Sequence, residues 1–533
     1  MRYDVVILGG ALAGASTALL LRRRQPQLKV LIVEKNPRFD FKVGESTVET
    51  SAYFLARVLR LYDYLSREQL PKHGLRYFFH NGTARTLAEG SEVGPNQLPR
   101  VGTFQLDRAK LDEHVLAEAV AAGAELWRPA KVVDVRLPEE LGEAEGKVVV
   151  EREGTSIELR AGWIIDASGR TGVIARKRGW IKPLEEHPIS AVWARYTGVK
   201  DLDGFDVHGN DLESPFARYS VASRRLGTCH FNGYGYWIWF IPLAGGETSV
   251  GAVFDRRMVQ PSGKTAEERL NWFLDGNPQS KGLMEGSTRI ADDLYTYAHL
   301  PYLVDRVAGV GWSLVGDAAG FLDPFYSPGI DQIAFSVSWA LELIRRQSEK
   351  DFGKFVGEHD VLYRQYLRGL FETIYRDKYA LMGDYDLMTA AFMIDTAMYY
   401  RFVCGPIYRK GPQHLLNPPF YKKYSNYAWA VIAFYQRRLV AIARRKWKLG
   451  IYGNHNAGRR PRFMGFSLAL GMWVMLFHGL RRWIGAEFAN AWSYIARPKP
   501  LKGGMPGPVT EIQDGPAPAA LPEEPVPVGK ETR

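Results

Sequence analysis

The sequence predicts an α/β chain: a Rossmann-like dinucleotide-binding domain, an inserted antiparallel β-sheet substrate domain and a C-terminal α-helical region. Three observations predict it. The first 34 residues run as strand, glycine-rich turn, helix, strand and acid. Residues 185–255 alternate apolar and polar side chains and are rich in Thr, Tyr and Trp, the pattern of a sheet. From residue 331 onward the pattern turns helical and then strongly aromatic. At 533 residues the chain has room for two or three intertwined units. The expected boundaries are 1–180 with 290–350 for a discontinuous dinucleotide domain, 181–289 for the sheet, 351–500 for the helices and 501–533 for a tail.

Val5–Leu8 is a buried-strand run that meets Gly9-Gly10-Ala11-Leu12-Ala13-Gly14 and a helical pattern through Leu21. The strand Lys29–Val33 ends in Glu34, 20 residues after Gly14, with Lys35 beside it. The order suits a dinucleotide. Glycines let a pyrophosphate approach the backbone, the helix N-terminus offers free N–H groups, and the acid accepts from a ribose hydroxyl. Ala11 stands where the pattern has its middle glycine and still leaves room for the pyrophosphate. No second signature of this kind occurs, so one dinucleotide is expected.

The other half of the site is expected in residues 316–331. A short strand ends at Val315, and Gly316-Asp317 opens a turn of small residues. A helix then starts near Gly329-Ile330. Asp317 is placed to accept from a sugar or polyol, and the helix start offers N–H groups to an anion. Shorter signals lie between. Lys42-Val43-Gly44-Glu45-Ser46 is a polar loop, and Gln105-Leu106-Asp107-Arg108 opens a helix with Asp107 as cap. Val148–Arg152 and Ser156–Leu159 form a hairpin that feeds the strand Trp163-Ile164-Ile165 and its closing acid, Asp166. In Tyr236–Pro242, alternation sets Trp237, Trp239 and Ile241 on one face.

Composition narrows the class. An apolar fraction of 46% with 24% charged residues is that of a globular protein. Two cysteines, Cys229 and Cys404, make neither a disulfide framework nor a metal site, so a reducing, cytoplasmic setting without metal is expected. Residues 1–8 run straight into a strand, so no leader is expected. The net charge of +11 is concentrated: residues 401–500 hold 18 Lys/Arg against one acid, Glu487. Such a block is either a solvated basic face or the mark of an anionic partner, such as a membrane surface or an acidic carrier protein. Phe463–Leu480 is an 18-residue stretch with Ser467 and His478 as its polar members and arginines on both flanks. It reads as a buried or lid helix, a monotopic membrane contact, or a span at the lower limit of length. Residues 501–533, rich in Pro, Gly, Ala and Glu, read as a disordered tail.

Together these residues resemble the flavin-dependent halogenases, within the FAD-dependent monooxygenases, over roughly residues 1–345. Gly9–Gly14, Glu34, Arg108, Asp166 and Gly316-Asp317 carry a general flavoprotein part shared with hydroxylases and reductases. Two motifs are more specific. Trp237-Ile238-Trp239-Phe240-Ile241-Pro242 looks like the family's Trp-x-Trp-x-Ile-Pro signature. Phe321, Pro324, Ser327 and Gly329 fit its Phe-x-x-Pro-x-x-Ser-x-Gly pattern. Lys72-His73-Gly74-Leu75-Arg76-Tyr77 matches the setting of the family's lysine.

The resemblance implies an FAD-binding domain of the glutathione reductase/para-hydroxybenzoate hydroxylase type. It implies cofactor contacts from Gly9, Gly10, Ala11, Leu12, Ala13, Gly14, Glu34, Lys35, Gly44, Glu45, Ser46, Arg108, Asp166, Gly316, Asp317, Gly329 and Ile330. FADH2 would come from a separate flavin reductase and would act with O2 and chloride or bromide on an aromatic or polyene substrate, free or carrier-tethered. Lys72 would guide the oxidised halogen, Trp237 and Trp239 would keep the substrate off the flavin, and Ser327 would belong to the halide-holding loop.

Two residues depart from the pattern. Pro328 has no N–H, so halide would rest on Gly329 and its neighbours, and this favours a hydroxylase, epoxidase or dehydrogenase without a halide step. Tyr326 stands where tryptophan-specific members carry Glu, which points to phenols, pyrroles or carrier-tethered aromatics. A third class of function is a flavin-bearing, membrane-associated assembly protein. The expected place is the cytoplasm, with peripheral contact at the inner face of a membrane and no nucleic-acid partner.

Overall fold

The computed structural model describes residues 1–82, 84, 86–98, 101–204, 222–419, 423–459, 470–496 and 498–500. In the first sheet the parallel strands lie in the order Trp312–Leu314, Thr155–Asp166, Arg2–Leu8, Val30–Val33 and Glu125–Trp127. Arg2–Leu8 is central because it is apolar on both faces, and Val5, Val6, Ile7 and Leu8 are all buried. The helix Leu12–Arg24 packs against the helices Arg108–Ala121 and Gly329–Arg346. The turn into Leu12–Arg24 needs its glycines. Gly9 has φ +101°, and a Cβ on Gly14 would stand 1.9 Å from the Gly9 carbonyl oxygen. The expected hairpin forms, with Gly146–Arg152 antiparallel to the first half of Thr155–Asp166.

The second sheet has the order Thr288–Tyr297, Ile189–Thr197, Thr248–Asp255, Tyr236–Pro242, Thr228–Gly233, Leu75–Phe79 and Ser91–Val93. It is antiparallel except where Thr228–Gly233 runs parallel to Leu75–Phe79. The sheet therefore reaches beyond residues 181–289 in both directions. Leu75–Phe79 joins it because Tyr77, Phe78 and Phe79 are fully buried and need cover on both faces. Ser91–Val93 would be an open edge, but the backbone of Asn456 and Arg459 accepts from Ser91 and Glu92.

Beyond the sheets lie the helices Phe352–Leu370, Tyr385–Tyr399, Lys423–Lys448 and Leu470–Ile495. Leu470–Ile495 crosses Tyr385–Tyr399 at Gly479, where a Cβ would stand 2.6 Å from the Ile394 side chain. The first part of the expected apolar stretch, 463–469, lies outside the described residues, as does the tail 501–533. The remainder, from Leu470, is the start of the packed helix. Among the described residues no helix is long and apolar enough to cross a membrane.

A buried charge cluster joins the second sheet to the loop at 42–46. The Arg195 guanidinium bonds Asp293 on the neighbouring strand at 3.1 Å and Glu45 at 2.5 Å. All three side chains are buried. Removing one partner strands the others without solvent, which costs about 3–5 kcal/mol. Arg195→Ala is therefore expected to lower the melting temperature sharply. Replacing Glu45 and Asp293 by their amides in the same variant should recover part of the loss, because the stranded carboxylates are then gone.

Candidate functional site

The glycine-rich turn, Glu34 and the Gly316-Asp317 turn lie together in the structure. Glu34 is buried, and its carboxylate accepts from the N–H of Gly10 at 2.7 Å and of Asn36 at 2.8 Å. The helix Leu12–Arg24 starts at Ala11 with no side-chain cap and no acid in its first turn. By contrast Asp107 caps the helix Arg108–Ala121 through the Lys110 N–H at 3.2 Å. An uncapped N-terminus beside a carboxylate fits a pyrophosphate followed by a ribose. The distant motif arrives at the same place. Gly316 has φ +60°, and a Cβ there would lie 3.2 Å from that of Ala13. Asp317 is partly exposed beside it, its carbonyl taken by the Tyr302 hydroxyl at 2.5 Å. Lys35 is exposed.

Several expected cofactor ligands have other partners. Asp166 is fully buried: Oδ1 accepts from Ser168 (backbone N–H at 3.0 Å, hydroxyl at 2.5 Å) and Oδ2 from the Ile174 N–H at 2.7 Å. Its carboxylate shapes the turn that Gly9 packs against. Arg108 forms a bidentate pair with Asp112 at 3.0 and 3.1 Å and donates to the carbonyls of Val43 and Gly44. Glu45 is held by Arg195, and the Ser46 hydroxyl lies 2.7 Å from that of Thr228. Arg108, Glu45 and Ser46 thus frame the loop at 42–46. Their residue types were legible, but the partners that occupy them are remote in sequence.

Beside this loop lies a mainly apolar cavity of about 230 Å³. Lys72 reaches it from the short strand Leu70–Lys72, which pairs with Thr103–Gln105. The lysine is 2% exposed, and its Nζ donates to Ser46 Oγ at 2.7 Å and to the Thr47 carbonyl at 2.6 Å. Burial pulls its pKa down to about 7, opposed by the charges of Glu49 and Asp331. Both acids line the same cavity. Burial pushes Asp331 up to about 7, against a hydrogen bond from the Tyr399 hydroxyl at 3.2 Å. The Tyr400 hydroxyl donates to Glu49. An amine and a carboxyl that both titrate near neutrality can hold or release a proton at working pH. Sequence reasoning missed Glu49, Asp331, Tyr399 and Tyr400. Asp331 lies two residues past Gly329, and in the sequence the tyrosines show no signal beyond an aromatic-rich helical stretch.

The motif loop closes one side of the cavity. Tyr326 and Ser327 both adopt left-handed φ, +71° and +55°, which non-glycine residues disfavour. The conformation is held from several sides. Tyr326 donates to Asp395 at 3.0 Å, and the Ser327 N–H donates to the Pro324 carbonyl at 2.9 Å. Asp323 accepts from the Phe325 N–H and lies 2.8 Å from His187. Pro328 then caps the helix Gly329–Arg346 without a side-chain bond, and a Cβ on Gly329 would meet open space. Trp237 and Trp239 stand behind this loop, outside the cavity wall. Their rings are 5.7 Å apart, their N–H groups bond Tyr379 and Ser249, and Trp237 packs on Phe325 at 5.4 Å. The pair supports the loop from behind.

The FAD binding domain family matches residues 2–204. The flavin-dependent halogenase chlA of Dictyostelium discoideum is 27% identical over 432 residues, covering 75% of this chain and 69% of that protein. The 1H-pyrrole-2-carbonyl peptidyl-carrier protein chlorinase of Pseudomonas fluorescens is 25% identical over 447 residues, covering 79% of this chain and 90% of that one. The matched shares of the curated relatives run from 61% to 90% of their lengths. Among solved structures, halogenase PltM in complex with phloroglucinol and FAD superposes with a TM-score of 0.63 at 16% identity, over 91% of this chain and 96% of that chain. The chain carries an FAD-binding domain and the halogenase fold, and its homologues are flavin-dependent halogenases.

The raised pKa of Asp331 makes a stability prediction. Below about pH 4 its carboxyl is protonated in the folded and unfolded chains alike. As pH rises toward 7 the unfolded chain releases that proton first, so folding stability falls by an amount of order 4 kcal/mol. Asp331→Asn removes the loss. Its melting temperature is expected to exceed that of the unsubstituted protein at pH 8, with the gap shrinking at pH 5. A gap that stays constant with pH would remove burial of the Asp331 charge as the cause.

Proposed function

We propose that this chain, a homologue of the flavin-dependent halogenases, is an FAD-dependent halogenase that acts on an electron-rich aromatic substrate. FAD would be held by the Gly9–Gly14 turn, Glu34, Asp317 and the N-terminus of the helix Gly329–Arg346. Bound reduced FAD would supply two electrons to O2, and the peroxide-level oxygen so formed would be the oxidant that takes halide to the hypohalite level. The observation that carries the reading is Lys72, an amine buried at 2% exposure with its pKa near 7, facing an apolar cavity beside the motif loop. As ammonium it would donate to and polarise an HO–X species, whose oxygen leaves as water when the ring takes the halogen; as amine it would take the halogen itself with loss of water. The ring carbon gains the halogen and loses a proton, and Asp331 and Glu49 are placed to receive it. Carrier-tethered aromatics and a separate flavin reductase belong to the same reading. The 25% identity with a carrier-protein pyrrole chlorinase supports the first.

Pro328 supports a second reading, a halogenase-like hydroxylase or epoxidase, because it removes one N–H from the loop that would hold halide. A Cβ built on Gly329 meets nothing within 4 Å, so an anion has room there in either reading. Lys72→Ala is expected to lower halogenated product at least 100-fold while FAD loading and oxygen consumption persist. Unchanged product formation by that variant takes Lys72 out of the reaction. An oxygenated product formed without chloride or bromide selects the second reading.

A further inference from the structure

We propose that the outer face of the helices Lys423–Lys448 and Leu470–Ile495 docks on an anionic phospholipid bilayer, and that lipophilic substrate reaches the cavity from there. The second clause rests on the proposed function; the first does not.

The two helices run parallel and side by side. Arg438 bonds Glu487, Arg445 bonds Ser493, and Phe434 packs near Trp483 at 6.1 Å, always about 49 residues apart. On Leu470–Ile495 the residues Trp473, Phe477, Ile484, Phe488, Trp492 and Ile495 are 50% to 78% exposed. Their spacing follows one helical stripe. Tyr427, Val431 and Phe434 add a shorter exposed stripe on the neighbouring helix. A monomer in water seldom leaves so many large apolar side chains uncovered. Among the described residues no helix is long and apolar enough to cross a membrane, so the geometry is that of a helix lying in the interface.

Charge selects the occupant. Arg437, Lys448 and Arg481 are exposed and have no ion-pair partner among the described residues. Glu487 is the one acid on either helix, and Arg438 neutralises it. Cationic groups beside Trp and Phe match an anionic interface, where aromatic rings sit at the headgroup level. A second copy would bring like charges together across the contact. The other face of the same helices points to chemistry. Met472, Met475 and Trp429 line the cavity that holds Lys72. One helix therefore separates the proposed bilayer face from the substrate cavity, and the seam between the pair is a route for an apolar ring.

The full-length FAD-loaded protein is tested by co-sedimentation with sucrose-loaded vesicles of phosphatidylcholine alone or with 30% phosphatidylglycerol, about the content of an anionic membrane. Binding is expected at least tenfold tighter to the anionic vesicles and weaker in 0.5 M salt, roughly where screening is strong. The triple variant Trp473→Ser, Phe477→Ser, Trp492→Ser is expected to lose binding with an unchanged melting temperature. Arg437→Glu with Arg481→Glu should lose the lipid preference. Absence of binding, or full binding by the triple variant, overturns the docking. So does a dimer that the triple variant dissolves, or an acidic carrier protein that binds this face in place of vesicles. A long-chain alkylphenol offered in the vesicles tests delivery. The triple variant should lose turnover of it while keeping turnover of phenol in solution, and equal loss of both overturns the route. Sedimentation involves no turnover, so its failure leaves the proposed function standing, and failure to halogenate leaves the docking standing.

Discussion

Desolvation of one amine is the constraint on which the site depends. An ammonium taken out of water loses hydration that only hydrogen bonds and opposite charge restore. Lys72 has two bonds, to Ser46 and the Thr47 carbonyl, and the field of Glu49 and Asp331. These compensate in part, and what is left uncompensated holds its pKa near 7. Asp331 has the opposite deficit for the same reason. The Asp331 charge supports the ammonium, and with both groups near 7 each can hold or release a proton at neutral pH. That balance fails if the cavity admits bulk water or if either group is taken away.

The frame around Lys72 explains why residues expected at the cofactor are engaged elsewhere. Ser46 stands between Thr228 and the lysine and bridges to Gln105, which itself bonds Thr228. Arg195 holds Glu45 next to it, and Arg108 holds the carbonyls of Val43 and Gly44. The loop at 42–46 is therefore fixed at once from the second sheet, from the strand Thr103–Gln105 and from the helix Arg108–Ala121. The motif loop across the cavity is fixed in the opposite sense, by strain. Two successive left-handed residues cost of order 1–3 kcal/mol each, and the bonds of Tyr326 to Asp395 and of Asp323 to its neighbours offset that. A loop so constrained presents its backbone without needing to reorganise when an anion arrives.

What was legible in the sequence was local. The strand, turn, helix and acid of residues 5–34, the Asp107 cap and the tryptophan strand each declare themselves within a short window, because period and turn chemistry act over a few residues. The parallel pairing of Leu75–Phe79 with Thr228–Gly233 leaves no such trace, since its partners are about 150 residues apart. The same distance hides the bond between Arg195 and Glu45. Asp166 shows the other limit. A strand-ending acid in a flavoprotein pattern suggests a ligand, but spacing gives its type and not its partner, and Ser168 and Ile174 take both oxygens. Lys72 was legible through its motif. The acids that set its protonation were not, because Glu49 lies before it and Asp331 far after.

The basic C-terminal block, one feature in the sequence, separates into two in the structure. Arg438, Arg445 and Lys446 turn inward and bond Glu487, Ser493 and Asp384. They lock the helices to each other and to the start of Tyr385–Tyr399. Arg437, Lys448 and Arg481 remain outward. A helix apolar on most of its circumference ordinarily lies in a core or in lipid. Leu470–Ile495 has half of each: Met472 and Met475 are buried at the cavity, while Trp473 and Phe477, one and two residues on, are exposed. The cavity could have been walled by a helix with a polar back, as surface helices usually are. This one is apolar on both sides, and the docking proposed for its outer face rests on that.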